Sequence, residues 1–128
     1  MGDWADPRPM SPHALSWRWH VTMAVSILHR VTGVVLYAAL IGVAIWLTAL
    51  AAGPGAYRAL FDWFPDWLIW AKLYAIGVAL AFHFANGIRH LFWDAGAGFK
   101  PSTANMTAWL VIVFSFAAPA ALFYFVQG

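Results

Sequence analysis

His83, Gly87, His90 and Asp94 are spaced four, three and four residues apart. At about 100° per residue of an α-helix they fall on one narrow face. A neutral imidazole at His83 can act as an axial ligand to haem iron, which makes it the one candidate metal ligand deep in an apolar run. Gly87 has no side chain, so a porphyrin edge or a second helix can come close there. His90 lies two turns on, toward the end of the run, where haem propionates would point. The residues alone leave a second reading open. His83 can be a structural histidine bonded to a neighbouring helix, with Gly87 a packing position. Arg89 reads as an interfacial anchor that snorkels to the membrane surface, and Asp94 as a local cap or pair.

A second polar stretch, Ser26-Ile27-Leu28-His29-Arg30-Val31-Thr32-Gly33, opens another apolar run. Ser26, Arg30 and Gly33 share a helical face, with His29 beside them. Ser26 can hydrogen-bond a quinone carbonyl, and Arg30 can stabilise the negative charge that develops as a quinone is reduced. His29 can pair with a haem propionate. Taken singly, each also has a plainer role: Arg30 reaching headgroups, Ser26 bonding back to its own helix.

The elements that position these groups are set by composition. The 128 residues are 63% hydrophobic and 9% charged, against roughly 25% charged in a soluble domain. So few charges cannot cover a water-facing surface, and lipid must be the main solvent. The net charge is +2, from basic residues scattered singly, which makes no nucleic-acid face. The chain has no cysteine, so it supplies no iron–sulfur or zinc–thiolate ligands.

The reading is an all-α membrane protein of one domain, residues 1–128: an arm over 1–20 and spans over about 21–52, 67–93 and 104–126. Pro7, Pro9 and Pro12 exclude a regular helix at the start of the arm, and its polar, Trp-bearing composition is unlike a signal peptide. Gly53-Pro54-Gly55 ends the first span and opens a loop over 53–66. The third span has no charge and no motif, and Pro119 is expected to bend it, which neighbouring helices tolerate. Arg8, Arg18, Arg30, Arg89 and Lys100 lie on one side of the spans, which predicts a cytoplasmic amino terminus and 2–3 connection.

The two polar stretches in this order carry a family resemblance. Arg8-Pro9, Ser11-Pro12-His13, the Ser26-to-Arg30 stretch with Thr32-Gly33, and His83-x-x-x-Gly87-x-Arg89-His90-Leu91-x-x-Asp94 resemble the cytochrome b subunit of succinate dehydrogenase, respiratory complex II. Trp17 stands where relatives often carry Tyr. The resemblance implies haem b with His83 as axial ligand, ubiquinone at Ser26 and Arg30, and His29 and His90 near the haem propionates. It implies a second small anchor subunit that gives the other haem ligand and packs with this chain into one helical bundle. It also implies a flavoprotein subunit with FAD and an iron–sulfur subunit, which oxidise succinate. This chain alone is expected to be inactive. The expected location is the bacterial cytoplasmic membrane rather than the mitochondrial inner membrane. Two alternatives stand beside this reading: a haem-free structural anchor, and the anchor of a related fumarate reductase.

Overall fold

A computed structural model describes residues 19–127. Most of the arm therefore lies outside the described residues, including Arg8-Pro9, Ser11-Pro12-His13 and Trp17. Four helices follow in order: α1 (Val21–Ala52), α2 (Pro54–Phe61), α3 (Asp66–Asp94) and α4 (Pro101–Gln127). Three of them, α1, α3 and α4, are long and apolar enough to cross a membrane. At 32 residues, α1 is about 48 Å long, against a hydrocarbon core of about 30 Å. Its polar opening turns can therefore stand at the headgroup level.

The helix ends follow local chemistry. His20 is extended, and its carbonyl accepts from the amides of Met23 and Ala24. Gly53 closes α1 at φ 101°, a conformation that glycine adopts without strain. The residues after it are not a simple loop, as the Gly-Pro-Gly punctuation suggests, but the eight-residue helix α2. Pro54 at its first position loses no helical bond and presets φ. Tyr57, Leu60 and Phe61, at i, i+3 and i+4, give it one apolar face. Pro65 ends the linker, and Asp66 sits favourably at the positive end of the α3 dipole. Pro101 starts α4 three residues before the expected 104, for the same reason that Pro54 starts α2. The helix continues through Pro119.

The helices meet in a small core of Val25, Phe82, Ala108 and Val111, joined by Val21, Ala85 and Ile112. This core ties the start of α1 to the second half of α3 and the first half of α4. Farther along α1, large apolar side chains stay exposed, among them Val34, Tyr37, Leu40 and Ile45. Such a surface suits lipid or another membrane helix, because between helices in lipid there is no water to drive burial. At the other end of the bundle α3 and α4 approach closely: a Cβ on Gly77 would lie 3.1 Å from Cβ of Pro119.

Candidate functional site

Next to the core, α1 and α3 bring three histidines together. The rings of His29 and His83 stack with centroids 4.0 Å apart and planes 11° from parallel. His90, two turns along α3, lies 5.2 Å from His29 and edge-on to Trp93. The helical periodicity of α3 thus turns His83 and His90 toward α1, and the i, i+3 spacing of His29 and Thr32 brings both to His83.

The hydrogen bonds around His83 define its tautomer. Its Nδ1 lies 3.2 Å from the backbone carbonyl of His29 and 3.2 Å from the hydroxyl of Thr32. That hydroxyl donates to the same carbonyl at 3.0 Å. A carbonyl only accepts, and the Thr32 proton is already engaged, so Nδ1 carries the hydrogen and donates. The Nε2 atom then keeps its lone pair. This arrangement prepares a histidine for a metal: the second ring nitrogen is held by a carbonyl, which fixes ring orientation and raises ligand basicity.

The surroundings leave room for a flat group. A Cβ on Gly87 would meet nothing within 4 Å, so the face one turn from His83 is open, whereas a Cβ on Gly33 would sit 3.3 Å from Cε1 of His83. Nδ1 of His29 is buried and has no hydrogen-bond partner among the described residues, which is uncommon for a polar atom and marks a place for a further acceptor or donor. Among the described residues no group of three or more His, Cys, Asp or Glu could hold a metal ion.

Of the other residues singled out in the sequence, Ser26 is half-buried and Arg30 is exposed on α1, one residue round from His29. Asp94 is exposed at the end of α3. Arg89 is not the snorkelling anchor that its place near the end of a span suggests. It is 5% exposed and joins α3 to α4, donating to the Thr107 hydroxyl at 3.1 Å, the Asn86 side-chain carbonyl at 3.3 Å and the Ala104 backbone carbonyl at 3.1 Å. Its guanidinium also lies 3.9 Å from the centre of the Trp93 ring. The reason is the packing of α4 against α3, which places the acceptors of its first turns beside Arg89. The third span therefore contributes specific partners, despite having no charged residue. Sequence reasoning missed two residues. Thr32 was visible only as a hydroxyl one turn from His29, and Asn86 as a polar residue three positions before Arg89 in an apolar run.

Residues 5–122 match the model of the succinate dehydrogenase/fumarate reductase transmembrane subunit family. The chain is 40% identical over 108 residues to the succinate dehydrogenase cytochrome b556 subunit of Rickettsia felis, covering 84% of each. It is 37% identical over 106 residues to the cytochrome b556 subunit of Paracoccus denitrificans, covering 82% of this chain and 81% of that one. Against the mitochondrial cytochrome b560 subunit of Bos taurus the identity is 34% over 111 residues, covering 83% of this chain and 64% of the relative.

Proposed function

This chain belongs to the succinate dehydrogenase/fumarate reductase transmembrane subunit family, and from that premise we propose that it anchors a succinate:quinone oxidoreductase in the membrane, binds haem b through His83, and helps to form the site of ubiquinone reduction. The observation that carries the haem reading is the state of His83. Its Nδ1–H is held by α1 and its Nε2 has no hydrogen-bond partner among the described residues, inside an apolar span beside open space at Gly87. A merely structural histidine has no need of a glycine-bordered opening or of a second ring nitrogen left unused.

When bound, haem b supplies a one-electron carrier within the membrane. The chain's own residues have the following roles. His83 would offer a ring nitrogen to the haem iron, and a second small anchor subunit would offer another. His29, with its buried unpartnered Nδ1, and His90 offer donors to the propionates. Ser26 and Arg30, on the polar opening of α1, hold the quinone head group. Ser26 hydrogen-bonds a carbonyl oxygen, and the Arg30 guanidinium stabilises the anion that forms as ubiquinone takes two electrons and two protons. Succinate oxidation, FAD and the iron–sulfur clusters belong to the two soluble partner subunits, consistent with the absence of cysteine here. The proposed location is the bacterial cytoplasmic membrane with the amino terminus inside, in keeping with the Rickettsia and Paracoccus relatives. The family includes fumarate reductases, and the direction of the reaction is set by the quinone potential and the soluble subunits.

The test is a reduced-minus-oxidised optical spectrum of the detergent-purified complex, with its subunits identified by mass spectrometry. A low-spin haem b signal beside a flavoprotein and an iron–sulfur subunit is expected. The same partners without haem would reduce the role to a structural anchor.

A further inference from the structure

Arg89 stands outside the histidine cluster and carries a charge that no acidic side chain among the described residues balances. A guanidinium has five N–H donors. Three are used, on the Thr107 hydroxyl, the Asn86 carbonyl and the Ala104 carbonyl. All three acceptors are neutral, and two N–H donors have no partner among the described residues. The described residues include three acidic side chains: Asp62, Asp66 and Asp94. Asp62 precedes α3 and Asp66 begins it, about 35 Å along the helix from Arg89. Asp94 is exposed and lies about 140° round the helix from it. A buried charge is expensive unless an opposite charge meets it.

Beside Arg89, α3 and α4 part to form a cleft of about 580 Å³, within the range of about 300–1,000 Å³ usual for small-molecule sites. It runs from Trp93 and Thr103, near the α3–α4 connection, to Phe114, about 16 Å deeper along α4. Its walls are apolar apart from Arg89, Thr103 and Thr107. Lys100 is exposed just before the start of α4, less than one turn from Thr103. The Arg89 cation, with Lys100 close by in the chain, and the apolar channel match a molecule with an anionic head and a hydrocarbon tail. Basic pockets between spanning helices are places where anionic lipid headgroups settle.

We propose that this cleft binds a phospholipid with an anionic headgroup, whose phosphate is the counter-ion of Arg89 and whose acyl chain lies against Ile88, Phe92, Leu110 and Phe114. Two phosphate oxygens take the two remaining N–H donors in the paired geometry that arginine favours. The proposal is independent of the haem and quinone assignments, since it uses the opposite side of α3.

The test is native mass spectrometry of the intact, delipidated complex after addition of phosphatidylglycerol or phosphatidylcholine. Phosphatidylglycerol is expected to bind at least tenfold more tightly at one site. Arg89→Gln should abolish that preference. Leu110→Trp leaves Arg89 and the buried core in place, because Leu110 is 59% exposed, and should block the site by filling the cleft. A Leu110→Cys variant carrying a photocrosslinker should label lipid. Equal binding of the two lipids, binding unchanged by Leu110→Trp, release of a quinone from the site, or crosslinking of Leu110→Cys to the second anchor subunit would each overturn the proposal.

Discussion

Replacing Arg89 with methionine removes the charge and keeps most of the apolar stem. It deletes three hydrogen bonds that join α3 to α4 or brace the Asn86 side chain, and the contact with the Trp93 ring. In water, hydrogen bonds to a charged group contribute about 1.5–3 kcal/mol each. Between membrane helices the measured average is nearer 0.6 kcal/mol, because the separated helices find other partners in lipid. The membrane figure applies here, so three bonds amount to about 2 kcal/mol. Leaving Asn86 without its partner adds to this, because Asn86 is fully buried and its amide nitrogen already lacks one. The expected loss is therefore about 2–4 kcal/mol, at least a tenfold fall in the equilibrium population of the native packing. The assay is thermal unfolding of the detergent-purified complex, with assembly followed by size-exclusion chromatography. Arg89→Lys is the informative control. An ammonium cannot span Thr107, Asn86 and Ala104 together or stack flat on Trp93, so lysine should recover less than half of the loss. If lysine restored wild-type stability, Arg89 would be a simple cationic anchor and the clamp would be refuted.

Three further outcomes follow from the same geometry. Gly77→Leu forces side-chain atoms onto Pro119, where even a Cβ would lie at 3.1 Å; overpacking of this kind costs about 1–3 kcal/mol, and the melting temperature of the complex should fall. Thr32→Val removes one of two acceptors for Nδ1–H of His83; haem should be retained with an altered low-spin electron paramagnetic resonance signal, which Thr32→Ser restores, and an unchanged signal would remove Thr32 from the positioning of His83. Arg30→Ala should lower succinate-to-quinone electron transfer at least tenfold while dye-linked succinate oxidation persists; an equal fall in both, with normal assembly, would contradict its place at the quinone.

What the sequence revealed and what it hid have separate physical causes. The spanning helices were legible because lipid imposes one rule over about twenty residues at a time. Gly53 then marked the end of the first, while the start of the third, at Pro101, was placed three residues too late. The short helix α2 was hidden because Pro54 and Gly55 read as loop punctuation, whereas a proline at the first helical position is favourable. The face of His83 and His90 followed from helical periodicity alone. The lock on His83 did not, since Thr32 lies 51 residues away in the chain, and nothing in either segment states that the two meet. Arg89 was misread for a related reason. Its position near the end of α3 suggests the membrane surface, and only the placement of Thr107 and Ala104 on α4 makes it buried.

The central claim is that His83 holds haem iron, and its most direct test is the optical and electron paramagnetic resonance spectrum of the assembled complex carrying His83→Ala. Loss of the low-spin bis-histidine signal, with the flavoprotein and iron–sulfur subunits still bound, is the predicted result. Retention of that signal in the assembled variant would contradict it and make His83 a structural residue.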